Sequence, residues 1–409
     1  MPQTARLDAL QSHRVTHSLF LSLGFLSFFL IYHMALYLTG WKSGLVIDFG
    51  VFHLVGKMFW LGTLDKAYSV AHLSQVEAKL AGVPGIFIPW SYPPQFNFVT
   101  ALLSLLPLIP AYVVFTLSTY LGYLAVLRTV AGKNLALVFL FIFPSILIEI
   151  TCGQNGFLTG ALVGLFVLGM QRGRAIAGIP LGLMAIKPHL ALGLALFVLL
   201  KRRWDVLGAA VATTLVSLAA ATLVFGTGIW PAFLEGARAV SENMALGYYP
   251  MLRMTSVYAS LLSFGLPTSL ALPAQIAAAL LACGLILRSH LAGHPFHVTL
   301  GIATVATLAI SPYNYDYDLP IAGIGIALLL PTLVARARIG ELVAITGLYW
   351  IAAGTGFSSL LGQAAVTDIK MITLGELNTP TLAGPAFLLV MVWIAAIAHR
   401  AAQPGTAPA

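Results

Sequence analysis

Charge is what this chain has least of. Only 8% of its 409 residues are Asp, Glu, Lys or Arg, against 59% hydrophobic types, and the mean hydropathy is +0.93. A soluble domain of this size needs far more polar surface, so the water-soluble globular class is excluded. Acids are scarcer than bases, 13 against 21, for a formal charge of +8. The bases stand singly or in pairs at the ends of apolar runs, which reads as topology signals facing anionic lipid rather than a nucleic-acid surface. Cysteine is nearly absent: Cys152 and Cys283 are spaced for neither a disulfide nor a metal site. There is no Walker lysine loop, no Gly-rich dinucleotide turn and no His-Glu-x-x-His zinc helix, so no cofactor is expected. Residues 39–95 hold no Asp-x-Asp or paired acids, which argues against a metal-bridged phosphate there, and no metal is expected.

What is present is a series of apolar runs. Open sheets cannot satisfy their backbone in lipid, so the expectation is an all-α polytopic membrane protein. About twelve transmembrane helices are predicted, at residues 18–38, 111–127, 135–150, 157–170, 175–186, 190–200, 206–225, 270–287, 298–310, 319–335, 342–356 and 382–398. The first is long enough to cross a core of roughly 30 Å and lacks a cleavage site, so it reads as a retained helix. Residues 96–106 are apolar but cover only about 17 Å as helix, closed by Pro107 and Pro110, and read as an interfacial segment. Placing both termini in the cytoplasm puts thirteen of the 21 bases inside with three acids, Asp8, Asp205 and Glu341, as the positive-inside rule requires. A count that makes 96–106 a crossing and fuses 175–200 moves Arg128, Lys133, Arg172 and Arg174 outside, and is rejected. No internal repeat is visible, and the 401–409 tail reads as disordered.

In the preferred topology the unusual chemistry collects on the outer face. Lys187, in Ile186-Lys187-Pro188-His189, is a cation between two apolar runs, where a charge costs roughly 3 kcal/mol or more and marks a functional candidate. Its flanking segments are too short to carry it to the surface, so it is expected at the floor of an outward-facing cavity. The first outer loop, 39–95, carries Asp48 in Ile47-Asp48-Phe49-Gly50 and two amphipathic stretches, with Trp41, Phe52, Phe59 and Trp60 suited to helices in the headgroup layer. Asp48 reads equally as an N-cap and as a catalytic acid. The loop ends in an extended Trp90-Ser91-Tyr92-Pro93-Pro94 segment. Gly153-Gln154-Asn155-Gly156 is a turn or a pair of sugar-binding amides, with Glu149 a partner or a snorkelling acid. Arg253, in loop 226–269, is an isolated cation that binds phosphate or a headgroup. In Ser311-Pro312-Tyr313-Asn314-Tyr315-Asp316-Tyr317-Asp318 the tyrosines alternate like a carbohydrate-facing rim, and Asp318 reads first as an N-cap ahead of Pro320.

These phrases together resemble the family 87 glycosyltransferases, polytopic enzymes of the GT-C superfamily. The resemblance rests on Asp48-Phe49, Ser91-Tyr92-Pro93-Pro94, Cys152-Gly153-Gln154-Asn155-Gly156, Ile186-Lys187-Pro188-His189 and Ser311-Pro312-Tyr313 with Asp316-Tyr317-Asp318-Leu319. It covers most of the chain and implies a GT-C-type bundle forming one domain over 1–409, with outer loops 39–95, 226–269 and 357–381. It also implies transfer of mannose from polyprenyl-phosphate-mannose to a lipid or glycan acceptor on the outer face, with Asp48 as the acid/base position. The chemistry agrees: where nucleotide sugars are absent, a sugar must arrive on a membrane-bound lipid phosphate. Asp48 would be the general base, Lys187, Arg253 and His189 the donor-phosphate ligands, and Gln154, Asn155, Tyr92, Tyr315 and Asp316 the sugar- or acceptor-facing residues. One base and a separate leaving-group site imply inversion. The competing readings are a transporter or flippase of a lipid-linked sugar, and a non-enzymatic membrane assembly factor.

Overall fold

A computed structural model describes residues 47–81, 88–246, 249, 251–364 and 379–400, with residues 16, 20, 21, 24 and 28. The last five are helical, and the Phe20 ring packs 5.9 Å from that of Phe139; the rest of the 18–38 segment, Trp41, most of the 357–381 loop and the 401–409 tail lie outside the described residues. Among those described, the chain is all-helical, with one isolated bridge between Met254 and Tyr315.

The first part of the chain contains α1 (Ile47–Trp60) and α2 (Val70–Ala81), then the extended Trp90 strap and the short α3 (Asn97–Leu103). Next come α4 (Leu108–Ala131), α5 (Leu135–Cys152), α6 (Gly156–Gln171), α7 (Gly178–Leu183), α8 (Leu192–Leu200) and α9 (Trp204–Phe225). The second half holds α10 (Ile229–Ala245), α11 (Val257–Ser263), α12 (Thr268–Leu291), α13 (Phe296–Ile310), α14 (Pro320–Arg336), α15 (Ile339–Ala364) and α16 (Ala383–Ala398).

Helices that are apolar all round are buried, and α13 and α14 obey this rule along almost their whole length. Small polar groups tie the bundle together, as expected where hydrophobicity cannot tell lipid from protein. Thr307 Oγ1 donates to the Leu190 carbonyl (2.9 Å), Tyr123 Oη donates to the Pro320 carbonyl (2.8 Å), and Ser145 and Tyr349 share a hydroxyl bond of 2.7 Å. The helices run back and forth: Tyr112, near the start of α4, donates to Ile150, near the end of α5, and Gln275 of α12 reaches the last turn of α13. By contrast α9 and α12 expose Leu215, Val216, Leu223, Leu270 and Leu280 as a lipid-facing surface.

Three expectations change. Among the described residues, the stretches Leu108–Cys152, Trp204–Phe225 and Thr268–Leu291 are long and apolar enough to cross a membrane and the other apolar helices run to 10–17 residues, so twelve full spans are not confirmed. The segments around Lys187 are a broken pair, six residues in α7 and nine in α8, joined by 3₁₀ turns. At about 9 and 14 Å neither reaches across a core of roughly 30 Å. The break follows from Pro188, which forces the residue before it out of the helical region: Lys187 sits at φ −144°, ψ 70°. Finally, α1 does not lie in the headgroup layer throughout. Its Phe49, Phe52 and Val55 are buried in the bundle, and Phe52 makes edge contacts with Trp90, Tyr92, Phe96 and Phe115 at 5.0–6.1 Å; only the far end surfaces, with Trp60 56% exposed. Residues 96–106 form the seven-residue α3 and a turn, too short to cross.

Candidate active site: an ion-paired cavity

Six segments of the chain meet at one end of the bundle around a cavity of about 350 Å³. The start of α1 brings Asp48. The Trp90 strap brings Tyr92, and it is held by side chains from three directions. Trp90 Nε1 donates to Asn97 Oδ1 (3.2 Å), Asn97 Nδ2 donates to Tyr68 Oη (3.1 Å), and Tyr68 Oη donates to the Tyr92 carbonyl (3.0 Å).

The α5–α6 turn brings Gln154, whose Oε1 accepts from Tyr92 Oη at 2.8 Å. This turn needs its glycines. Gly153 is left-handed at φ +63°, and a Cβ there would strike Tyr112 and Phe49; a Cβ on Gly156 would sit 1.8 Å from the Tyr317 carbonyl oxygen. Glu149 is fully buried rather than snorkelling, and its Oε1 accepts the Phe157 N–H (3.3 Å) at the first turn of α6.

The break between α7 and α8 brings Lys187, 6% exposed. Its ammonium donates to Asp318 Oδ1 at 2.6 Å, 4.6 Å from the Tyr317 ring centre and 5.6 Å from that of Tyr92. Arg253, at the end of a 3₁₀ turn, is not isolated as its sequence context implied. It reaches Asp48 Oδ2 (3.2 Å), Asp316 Oδ1 (3.2 Å) and Oδ2 (3.4 Å), and Cys152 Sγ (3.0 Å). The Tyr317 ring is thus near both cations, with Arg253 Cζ 5.3 Å from its centre and Tyr315 stacked on it at 4.9 Å.

Three carboxylates, Asp48, Asp316 and Asp318, thus face two cations, Arg253 and Lys187. The electrostatics of the loop groups follow. Burial raises Asp316 to about 6, with the Arg253 guanidinium pulling the other way. For Arg253 burial acts to lower the value, but Asp316, Cys152 and Asp48 outweigh it and the net shift is upward.

The cavity lining includes Asp48, Tyr92, Gln154, Lys187, His189, Arg253 and Tyr315 from the sequence-derived set. Tyr313 and Tyr317 of the tyrosine rim line it too. His189 presents a buried Nε2 with no hydrogen-bond partner. Asn155 and Asp316 do not line it: Asn155 is buried behind the turn, and Asp316 spends both oxygens on Arg253 instead of facing a sugar.

Two parts of the site were not read from the sequence. Asp318 is no N-cap of α14, whose cap position is Leu319; its oxygens go to Lys187 and to the Tyr315 N–H (3.2 Å). The signal was available, because a buried ammonium requires a buried counter-charge. The other missed part is the wall formed by Phe233, Ala237 and Val240 of α10. Their 4,3 spacing, with Glu235, Arg238 and Glu242 interleaved, is that of an amphipathic helix. Among the described residues no group of three or more His, Cys, Asp or Glu could hold a metal ion.

A polytopic helical membrane protein whose buried acids and bases converge on one cavity is the class that the fold and site define. The sequence model of glycosyltransferase family 87 matches residues 90–312, more than half of the 409, and the chain belongs to that family. No curated protein and no solved structure matches the chain. The matched region includes the Trp90 strap, the α5–α6 turn, Lys187 and Arg253; Asp48 and the acids of the Tyr315–Asp318 turn lie outside it.

Proposed function

We propose that this glycosyltransferase moves a hexose, mannose as first choice, from a polyprenyl-phosphate sugar to a lipid or glycan acceptor. The reaction would take place at the extracytoplasmic face of the cell membrane. The observation that carries the reading is Asp48 at the cavity wall, its carboxylate paired among the described residues with Arg253, a cation it shares with Asp316. In this reading the acceptor oxygen attacks the anomeric carbon while the bond from that carbon to the phosphate oxygen breaks. The electron pair leaves with the polyprenyl phosphate, and the acceptor proton passes to Asp48. General-base assistance of this kind is worth roughly 10²–10⁴ in rate.

A phosphate leaving group needs charge stabilisation more than a proton. Arg253 supplies it most directly. A guanidinium offers a fork of donors suited to phosphate, and its present contacts of 3.2–3.4 Å to oxygen are longer than the roughly 2.7–2.9 Å of a strong charged pair. When the phosphate draws Arg253 toward itself, Asp48 is left free to take the acceptor proton. Lys187, gripped by Asp318 at 2.6 Å, contributes field at the cavity wall more than direct contact. His189 Nε2 is a further donor for the leaving phosphate, and the Tyr92–Gln154 pair and Tyr315 are the groups offered to sugar or acceptor hydroxyls. One base and one leaving-group site imply a single displacement with inversion.

The test is transfer by purified protein from a panel of polyprenyl-phosphate sugars, with the product's anomeric configuration read by NMR. An inverted product from one donor supports the reading. Movement of lipid-linked sugar across vesicles without any transfer product would replace it with the flippase reading.

A further inference from the structure

Pro89, Pro93 and Pro94 bracket the strap that borders the cavity. A proline keeps the residue before it out of the helical region, which pushes Ile88 and Tyr92 to extended backbone, and residues 88–93 carry no helix or turn. Along extended chain, successive side chains take opposite sides. Trp90 and Tyr92, two apart, share one side: their rings pack on Phe52 at 5.9 and 5.5 Å and on Phe96 at 6.0 and 4.7 Å. Ser91 between them takes the other, and it is a half-buried residue of the cavity wall.

The strap is fixed at both ends and free in the middle. Glu77 Oε2 accepts the Ile88 N–H at 3.1 Å, and Tyr68 Oη donates to the Tyr92 carbonyl at 3.0 Å. Among the described residues, the Ser91 hydroxyl and the main-chain N–H groups of Trp90, Ser91 and Tyr92 make no hydrogen bond. Such groups need water or a ligand as partner. An edge held in place by side chains at each end is preorganised to take one.

The chemistry of the edge selects the ligand. Its groups are neutral, and between them they donate and accept, as a row of sugar hydroxyls also does. The cations of the cavity are already paired with carboxylates, and the α10 wall of Phe233, Ala237 and Val240 is apolar. Next to Ser91, the Tyr92 ring lies 5.6 Å from Lys187 Nζ and its hydroxyl bonds Gln154 at 2.8 Å, which sets the strap beside the field that acts on the donor phosphate.

We propose that Ser91, with the free strap edge around it, binds the hydroxyls of the hexose carried by the donor and is a specificity-determining residue for that sugar. This rests on the glycosyl-transfer reading above and adds the side of the cavity that holds the sugar ring.

Wild-type protein and S91A are compared in nanodiscs for binding of polyprenyl phosphate and of polyprenyl-phosphate mannose, glucose and galactose, with melting temperatures measured alongside. Ser91 has no partner to lose, so S91A should melt with the wild type. The expected result is one sugar phosphate bound about five-fold more weakly by S91A, the loss of one neutral hydrogen bond, with bare polyprenyl phosphate bound equally by both. One monodeoxy form of that sugar should bind the wild type as weakly as the parent binds S91A, and should lose nothing further in S91A. Equal binding of every sugar phosphate by the two proteins, equal weakening of polyprenyl phosphate, or a lowered melting temperature in S91A overturns the subsite. So does a wild type that holds no sugar phosphate more tightly than polyprenyl phosphate. Binding is read without turnover, which keeps the two ideas apart. Sugar-dependent binding lost in S91A, with no transfer by the wild type, supports the subsite and sinks the transferase reading. Transfer from a donor that both proteins bind alike sinks the subsite and leaves that reading standing.

Discussion

Lys187 and Arg253 both lie by the Tyr317 ring, 4.6 and 5.3 Å from its centre, yet they are held in opposite ways. Lys187 has one carboxylate, at 2.6 Å, with Asp318 almost wholly buried; Arg253 is spread over Asp48, Asp316 and Cys152 at 3.0–3.4 Å. A short pair inside a low-dielectric bundle is committed, because separating it leaves a naked charge. A guanidinium shared among several distant acceptors can change partners at little cost. In the proposed mechanism the difference separates architecture from chemistry: Lys187 looks the more conspicuous in the sequence, but Arg253 is the cation assigned to the substrate.

The largest effect expected is on the Lys187 side. K187M leaves Asp318 buried and unpaired, a loss of about 3–5 kcal/mol of stability, read as loss of monodisperse protein and a lower melting temperature. The double variant K187M/D318N should recover much of that loss. Recovery of stability without recovery of full activity would separate packing from field; failure of the double variant to recover stability would break the comparison. The next effect belongs to Arg253. R253Q leaves Asp48 and the almost wholly buried Asp316 without their cation, so its melting temperature is measured alongside, and in the folded protein it should weaken donor use by roughly 30-fold or more, as for losing a desolvated charge pair. R253K, keeping charge without the fork, should fall between. Wild-type donor affinity in R253Q would return the phosphate role to Lys187.

The smallest effect is on pH. With Asp316 raised to about 6 in the fold from an ordinary 3.8, its protonated form is the one the fold favours. The stability it contributes is therefore full below its unfolded value and is lost as pH rises through about 6. Activity runs the other way: protonation below about 6 removes one of the charges holding Arg253, which then settles on Asp48 and blocks the base. Transfer should thus fall severalfold on acidification through about 6, and D316N should flatten that inflection. An identical inflection in D316N would assign it to another group.

Much of this was legible in the sequence, for identifiable reasons. Scarce charge makes each ion in an apolar chain conspicuous, so Asp48, Lys187 and Arg253 stood out before any fold was known, and positive-inside counting put them on one face. What the sequence withheld was pairing. Lys187 and Asp318 lie 131 residues apart, and Arg253 and Asp48 lie 205 apart; nothing local distinguishes an ion awaiting substrate from one already neutralised. The placement of α1 was hidden for a related reason. An aromatic face such as Phe49–Phe52 suits a lipid interface and a protein interior equally, since both are apolar. Asp318 followed by Leu319-Pro320 has the local pattern of a helix start, and tertiary pairing overrode it.

The central claim is that Asp48 takes the acceptor's proton while other residues hold the donor. It is tested most directly by comparing Asp48→Asn with wild type in two assays, sugar transfer and binding of the polyprenyl-phosphate sugar. The expected result is transfer reduced by about 10²-fold or more with donor binding within a few-fold of wild type. Transfer by the Asn variant at the wild-type rate would contradict the account.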